Sequence, residues 1–202
     1  MTSRDDQRVA TRRRIVDVAV ESLIECGFAA TTTVEVQRRL GLSRGALLHH
    51  FPTREELFTA AVHRLVQANL EAMWEELAAA PADSDPVTRG MWVLRRASRR
   101  ASFGAELELW GAARTDTRLR SALRAAELGA RKELYAVIDA VFGPDVVAAP
   151  SYPLVIDLTV QLMRGLAISA SLQGQTTRHE PLIDQWALVV RGLLSAELTS
   201  PE

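Results

Sequence analysis

The sequence of 202 residues predicts an all-α protein, and three observations support that fold class. Apolar residues recur at intervals of three and four along most of the chain, which is the spacing of one face of an α-helix. Helix-start residues such as Ser and Thr, and helix-stop residues such as Gly and Pro, divide these periodic stretches. No segment has the alternation that is typical of a half-buried strand. We therefore expect an N-terminal three-helix helix-turn-helix domain, joined through a long helix to a C-terminal helical domain.

The stretch that ends at Gly27 predicts the first helix. Ile15, Ala19, Leu23 and Cys26 recur at helical spacing, so they form one apolar stripe. Gly27 is a natural end for this helix because glycine tolerates the left-handed conformation that commonly follows a last turn. We expect Cys26 to be a small buried apolar residue.

The next two predicted helices are short and are joined by a turn at Gly41. Thr32 begins a capping-box pattern, which predicts a helix over 33–40. Ser43 can cap the third helix. Pro52 follows that helix and ends it, because proline has no backbone N–H and disfavours helix at the residue before it.

A long helix should begin just after Pro52. Thr53 and Glu56 form a second capping-box pair, and the apolar stripe that follows extends to Ala79. Residues 81–86 have the composition of a loop, and 143–152 form a connector because this segment contains two prolines. The remaining periodic stretches predict helices over 87–101, 103–113, 117–142, 153–172 and 180–198.

Charge and cysteine content limit the class of protein. The formal net charge of −1 gives no whole-chain argument for a nucleic-acid partner, but residues 1–55 contain nine arginines and only seven carboxylates. One cysteine excludes a disulfide within the chain and a multi-cysteine zinc site. The polar N-terminus and the lack of an uncharged stretch of about 18 apolar residues predict neither an export signal nor a membrane span. We therefore expect a cytoplasmic protein.

The third predicted helix suggests a function. Two short helices joined by a turn at Gly41 have the proportions of a helix-turn-helix. Arg44 lies in the first turn of the second helix, where the positive end of the helix dipole costs a cation up to about 1 kcal/mol. In a major groove that turn meets base edges, and arginine can contact guanine O6 and N7 together. Gly45 would let the backbone and DNA approach closely, although the pattern alone also fits three packed helices with a solvated arginine.

Five short motifs follow one another between Arg12 and Phe58. They are Arg-Ile-Val-Asp-Val-Ala at 14–19, Gly-Phe at 27–28, Thr-Thr-Val-Glu-Val at 32–36, Gly-Leu-Ser-Arg-Gly-Ala-Leu-Leu-His-His-Phe at 41–51, and Thr-Arg-Glu-Glu-Leu at 53–57. The stretch resembles the N-terminal domain of the TetR family of transcriptional repressors. The resemblance implies a homodimer that binds operator DNA and releases it when a small molecule enters the C-terminal domain. Two DNA-binding domains about 34 Å apart would match successive major grooves, so we expect a near-palindromic operator.

The resemblance also implies, position by position, which residues bind DNA. Thr33 would contact a phosphate, and Arg54 stands where the family often has a lysine that contacts one. Leu48 replaces the tyrosine that is usual in the family, and leucine cannot form the phosphate hydrogen bond of that tyrosine. The predicted DNA-binding residues are Thr33, Ser43, Arg44, Gly45, Leu48, His49 and Arg54.

The C-terminal helices predict a dimer interface and a ligand cavity. The apolar stripes over 153–172 and 180–198 are wider than one intramolecular contact needs, which suggests a four-helix bundle between two subunits. Aromatic residues on the preceding helices would surround a cavity for a small, largely apolar ligand, although aromatics fill cores as readily as pockets. We therefore assign 1–52 as the DNA-binding domain and 53–202 as the ligand-binding and dimerisation domain. The candidate ligand-binding residues are His63, Trp74, Trp92, Phe103, Leu107, Trp110, Tyr135, Gln161, Met163 and Arg164.

Other classes of function have weaker support. Gly41-x-Ser43-x-Gly45 matches the nucleophile elbow of hydrolases, but that elbow follows directly on a strand, whereas 36–40 predicts a helix. The four histidines do not have metal-ligand spacing. We therefore expect no enzyme, no catalytic residue, no metal and no cofactor. A helical small-molecule carrier without DNA binding is the alternative from another class.

Overall fold

The computed structural model of the protein describes residues 4–81, 84–173 and 179–198. Within these ranges the chain forms ten helices and no strand, so the predicted all-α class is confirmed. The helices are α1 (Arg4–Ala30), α2 (Thr33–Leu40), α3 (Arg44–His50), α4 (Arg54–Ala78), α5 (Pro86–Ser98), α6 (Ala101–Ala112), α7 (Thr117–Phe142), α8 (Pro144–Val147), α9 (Tyr152–Gln173) and α10 (His179–Leu198).

Two segments differ from the sequence prediction. The predicted connector over 143–152 contains the short helix α8, because Pro144 occupies its first turn, where a missing N–H costs nothing. The first helix continues beyond Gly27 to Ala30. In the predicted loop over 81–86, Ala82 and Asp83 lie outside the described residues.

The chain divides into two compact units. Unit 1 comprises Met1–Ala68 and Ala105–Ala130, and unit 2 comprises Asn69–Gly104 and Arg131–Glu202. Helices α4, α6 and α7 each contribute residues to both units. The predicted domain boundary after residue 52 therefore lies inside unit 1, and the division of function between 1–52 and 53–202 stays a prediction.

The core of unit 1 is built on the stripe that the sequence predicted for α1. Ile15, Ala19 and Leu23 are buried, together with apolar residues of the next three helices. The prediction for Cys26 is wrong, because its thiol is exposed and lies 3.2 Å from a guanidinium nitrogen of Arg39. The other buried residues of this core include Val36, Leu47, Phe51, Leu57, Ala61, Val62 and Leu65.

A kink interrupts α1 at Gly27. This residue has φ 78° and ψ 174°, a backbone conformation that favours glycine. The Phe28 N–H donates to Oε1 of Glu108 on α6 at 2.8 Å, so a carboxylate satisfies an amide at the kink. A Cβ on Gly27 would lie 2.7 Å from the same carboxylate oxygen. The close approach of α6 therefore gives a second reason for glycine at this position.

Unit 2 contains a buried carboxylate that the sequence did not predict. The Glu76 side chain is only 4% exposed, and it accepts from Arg96 at 2.5 Å and from Arg100 at 2.6 Å. The hydrogen bond from Arg96, more than that from Arg100, holds the pKa of Glu76 below its usual range. This cluster joins α4 to the chain around the α5–α6 turn.

Polar side chains also join the last two long helices. The Trp186 indole N–H donates to the Thr159 hydroxyl at 2.7 Å, and that hydroxyl donates to the Val155 carbonyl at 2.6 Å. Thr159 is fully buried. The two hydrogen bonds satisfy a polar group that would otherwise be costly between α9 and α10.

Among the residues that the structure describes, one helix meets the length and composition requirement for a membrane span. Tyr152–Leu172 has a mean hydropathy of 1.3 over an 18-residue window, of which 22% is buried. Asp157 and Arg164 lie in this helix, so a prediction from uncharged stretches alone did not include it. Length and composition of a single helix are a weak indication of a span, because core helices pass the same test.

Gly90 in α5 packs directly against Phe142. A Cβ at position 90 would lie 2.3 Å from a ring carbon of Phe142, which is fully buried. We expect Gly90→Ala to lower the free energy of unfolding by about 1–3 kcal/mol, because the ring must move within a packed core. Urea denaturation followed by far-UV circular dichroism measures this change.

Gly104→Ala is the matched control within the same unit. Gly104 is also helical, but a Cβ there meets no atom within 4 Å. We expect this variant to be more stable than the parent by about 0.5–1 kcal/mol, since alanine loses less backbone entropy. Equal stability of the Gly90→Ala and Gly104→Ala variants would contradict the packing argument.

Candidate nucleic-acid interface

Capping side chains fix both helices of the helix-turn-helix. The Thr32 hydroxyl accepts from the Glu35 N–H at 3.1 Å, and the Ser43 hydroxyl accepts from the Ala46 N–H at 3.2 Å. Between the helices, Gly41 has φ 64° and its N–H points to the Arg38 carbonyl. The predicted helix over 33–40 and the predicted turn at Gly41 are therefore confirmed.

The second half of the predicted capping box at Thr32 does not form. The Glu35 carboxylate instead accepts from Arg38 at 2.7 Å and from Arg39 at 2.7 Å. Hydrogen bonds from Arg38 and then Arg39 lower the pKa of Glu35 to about 2. Arg39 also forms an ion pair with Glu25 of α1 at 2.6 Å. Both arginines are engaged with carboxylates, and the Arg39 side chain is only 18% exposed.

A residue of α1 that was not predicted from the sequence binds the C-terminal end of α3. The Arg12 guanidinium donates to the His50 carbonyl and lies 3.9 Å from the centroid of the Phe51 ring. His50 is itself half-buried, and burial is the largest cause of its lowered pKa. In the sequence, the one indication of a role for Arg12 is that it begins the stretch that resembles the TetR family.

The predicted DNA-binding residues lie in unit 1, and none belongs to its core. Thr33 is half-buried, and the other six are exposed. The guanidinium of Arg44 forms no hydrogen bond or ion pair with any described residue, in contrast to Arg38 and Arg39. Ser43 uses its oxygen to cap α3 and keeps its hydroxyl proton for another partner. The remaining exposed residues are Gly45, Leu48, His49 and Arg54.

Gly45 is a glycine that the folded chain does not require. Its φ is not positive, and a Cβ there would meet no atom within 4 Å. Helical glycine is unfavourable relative to alanine. Neither its backbone conformation nor its neighbours in the folded chain therefore require glycine at this position.

Arg54 begins α4 beside an aromatic ring. Its guanidinium carbon lies 4.9 Å from the centroid of the Phe58 ring, and the Thr53 hydroxyl accepts from the Glu56 N–H at 3.1 Å. The first half of the second predicted capping box therefore forms, and the Thr53 hydroxyl also donates to Oε1 of Glu56 at 3.3 Å. It fixes the first turn of α4, on which Arg54 is exposed.

The candidate ligand-binding residues divide between the two units. His63, Leu107 and Trp110 belong to unit 1, and the other seven belong to unit 2. Trp110 lines an open pocket of about 440 Å³ that lies entirely within unit 1. Their role in binding a ligand stays a prediction.

The unit 2 candidates differ in exposure. Met163 is buried, whereas the Trp74 side chain is 46% exposed and Gln161 is also exposed. Trp92 lies under the Arg96 guanidinium, with 4.8 Å between the guanidinium carbon and the ring centroid. The remaining three are half-buried, namely Phe103, Tyr135 and Arg164.

The nucleophile-elbow pattern lacks the backbone that such an elbow needs. Ser43 follows helix α2 and a left-handed glycine rather than a strand, and its hydroxyl oxygen caps α3. Within the described ranges, no group of three or more His, Cys, Asp or Glu side chains could hold a metal ion.

Comparison with known proteins connects this geometry to a family. Residues 15–61 match the family model described as "Bacterial regulatory proteins, tetR family", and this range covers the helix-turn-helix and its supporting helices.

Residues 15–61 therefore form an N-terminal domain of the TetR type.

Similarity to transcriptional regulators extends over nearly the whole chain. The HTH-type transcriptional regulator Rv2912c of Mycobacterium tuberculosis is 25% identical over 192 residues, which cover 95% of this chain and 98% of the relative. The crystal structure of a transcriptional regulator from Rhodococcus sp. Rha1 has a TM-score of 0.66 and 21% identity, with 95% of this chain and 100% of that chain covered. The family model and the full-length relatives together support a transcriptional regulator of the TetR type.

A protein crystallised with a small molecule also shares the fold of this chain. The multidrug binding protein EbrR, complexed with proflavin, has a TM-score of 0.60 and 24% identity, and the match covers 90% of this chain and 98% of EbrR. At this identity the match establishes a shared fold.

We expect Gly45→Ala to change stability and DNA binding of this protein in opposite directions. The free energy of unfolding should rise by about 0.5 kcal/mol, because a Cβ there meets open space. Affinity for DNA should fall by at least about tenfold, or 1.4 kcal/mol, because the methyl group would separate α3 from the groove. Chemical denaturation and a mobility-shift titration measure the two effects, and unchanged DNA affinity would contradict this role of Gly45.

Proposed function

We propose that this protein is a cytoplasmic, homodimeric repressor of the TetR type that binds a near-palindromic operator and releases it on binding a small, largely apolar molecule. The observation that carries the proposal is the state of Arg44. It is exposed at the first turn of α3 with no partner among the described residues, whereas the neighbouring arginines of α2 are engaged with Glu35. A cation in that position opposes the helix dipole, so an anionic partner outside the chain accounts for it best.

The proposed DNA contacts comprise base contacts and phosphate contacts. Arg44, at the N-terminal turn of α3, would contact a guanine, with Gly45 allowing close approach. Thr33 and Arg54, each at the start of a helix, would contact phosphates. Exposed Leu48 would offer an apolar surface in place of the family's usual tyrosine. The hydroxyl of Ser43 and the ring of His49 would complete the surface.

Exposed apolar side chains on α9 and α10 support the proposed dimer. Both helices already bury one face within unit 2, through residues such as Val155, Ile156 and Val190. Their opposite faces expose large hydrophobic side chains to an extent that a monomer rarely tolerates. The exposed residues are Leu154, Leu158, Ile168, Leu172, Leu182, Leu188, Val189 and Leu193.

The proposed response to a ligand has two supports. The TetR-like fold is shared with EbrR, a protein complexed with proflavin. In addition, Trp110 lines an open pocket of a size that suits a small molecule. Release of DNA requires that the ligand binds the free protein more tightly than the DNA-bound protein.

Arg44→Ala and Arg54→Ala should weaken DNA binding in different ways. Loss of Arg44 should cost about 1–3 kcal/mol of binding free energy and relax preference at one base pair per half-site. Loss of Arg54 should weaken binding to all sequences alike and reduce the slope of log affinity against log salt by about one. Mobility-shift titrations on DNA that flanks the gene, and on random duplex, measure both at several salt concentrations.

Two outcomes of that titration would count against the proposal. Equal losses on specific and random DNA for Arg44→Ala would remove its base-reading role. A wild-type protein that binds neither DNA at low salt would favour the carrier without DNA binding.

Leu193→Asp should convert the dimer into monomers. Leu193 is exposed in one chain, so the aspartate is tolerated there, but it would be buried without a partner in the dimer. Leu128→Asp is the matched control, because Leu128 is an exposed leucine on α7, outside the proposed interface. Sedimentation equilibrium distinguishes the two variants, and a wild-type monomer at micromolar concentration would refute the dimer.

A further inference from the structure

The open pocket beside Trp110 has an unusual lining. It lies between the C-terminal end of α6 and the first half of α7, entirely within unit 1, and its volume is about 440 Å³. Ligand pockets commonly measure about 300–1,000 Å³. We call it the arginine cleft, because three of its lining residues are arginines. The lining includes Trp110, Arg114, Arg120, Leu123, Arg124 and Glu127.

One arginine of the cleft is fixed in place by backbone carbonyls. The Arg120 Nε donates to the Ala113 carbonyl at 2.9 Å, and its Nη2 donates to the Arg114 carbonyl at 2.5 Å. These carbonyls follow the last turn of α6, where a cation is favourable. The guanidinium is therefore positioned in advance, and its Nη1 is not used in these two bonds. A positioned guanidinium binds an anion with little further loss of entropy.

The other two arginines of the cleft are not held in ion pairs with described residues. Arg114 and Arg124 are exposed, and neither guanidinium forms a hydrogen bond or ion pair with a described residue. Glu127 is the carboxylate in the lining, so the cleft has an excess of positive charge. Arginine is well suited to binding a carboxylate through two parallel hydrogen bonds.

The apolar part of the lining limits the shape of the anion. Leu123 is buried and Trp110 is half-buried, so the cleft has an aliphatic wall and an aromatic ring. Indole favours flat apolar partners through stacking or edge contacts. The lining therefore combines apolar contact area with a surplus of guanidinium groups.

We propose that the arginine cleft binds a planar aromatic carboxylate and that this anion is the effector of the regulator. The second part rests on the proposed ligand-responsive function, and the first does not. The concave, partly aromatic surface favours a small molecule over a nucleic-acid backbone, which would be bound by a basic surface without regard to the shape of the cleft.

Calorimetry with a charged and a neutral form of one ring system tests the binding site. The probes are 2-naphthoate and its neutral amide, 2-naphthamide, titrated into the full-length protein. Wild-type protein should bind the carboxylate at least about tenfold more tightly than the amide, because only the carboxylate can accept from several guanidinium groups. Equal binding of the two probes, or no binding of 2-naphthoate at millimolar concentration, overturns the proposal.

Arg124→Gln locates the binding to the cleft. Affinity for 2-naphthoate should fall by about tenfold while the weak affinity for 2-naphthamide stays unchanged. Lys132→Gln is the control, because it removes the same charge from an exposed site on the same helix, outside the cleft lining. If both variants lose affinity equally, the effect is one of net charge and the cleft is not the site.

Mobility shifts with and without 2-naphthoate separate the site from its regulatory role. Loss of DNA binding with wild type, but not with Arg124→Gln at the same concentration, supports both parts of the proposal. Tight binding of 2-naphthoate with unchanged DNA affinity supports the site and removes the effector role. Loss of DNA affinity in Arg124→Gln without any probe would mean that the arginines bind nucleic acid, and would overturn the proposal.

Discussion

A helix of seven residues cannot maintain its own conformation in water, and α3 is such a helix. Nucleation of a helix is costly, and isolated helices shorter than about 12–15 residues are marginal even with favourable sequences. The stability of α3 must therefore come from outside it. Leu47 and Phe51 are buried, Ser43 caps its first turn, and Arg12 of α1 binds the carbonyl of its last residue. Because these groups stabilise α3, its exposed residues are not needed for folding and are available to bind a partner.

The arginines of unit 1 follow the same division of roles. Arg39 links α2 to α1 through Glu35 and Glu25, and Arg12 holds the end of α3. In each case the guanidinium joins two helices, so its loss would affect the fold. Arg44 forms no such link, and the fold does not depend on it. Sequence alone cannot separate these roles, since all three are arginines in the same electropositive stretch.

The predictable part of the molecule was the part encoded by local sequence. Capping residues such as Thr32 and Ser43 act within one turn of their own position, so the bounds of α2 and α3 could be predicted. The family resemblance covers the same local stretch. By contrast, the bond of Glu108 to the Phe28 N–H joins residues far apart in the chain, and no local pattern indicates it.

The same limit explains the errors outside α2 and α3. The exposure of Cys26 depends on how α1 and α2 pack, and its helical spacing suggested a buried position. The arginine cleft requires the end of α6 to meet α7, which periodicity does not reveal. The sequence therefore did not indicate Arg114, Arg120 or Arg124 as ligand-binding residues, although it did indicate Trp110.

The amide proton of Phe28, which is hydrogen-bonded to Glu108, is an intrinsic probe for nuclear magnetic resonance. An amide at a helix kink would ordinarily be open to water, but this one is held by a carboxylate of α6 at 2.8 Å. The hydrogen-exchange rate of this single proton therefore depends on whether α6 stays against α1. Because α6 begins in unit 2 and ends in unit 1, one resonance in a nuclear magnetic resonance spectrum reports on a helix that the two units share.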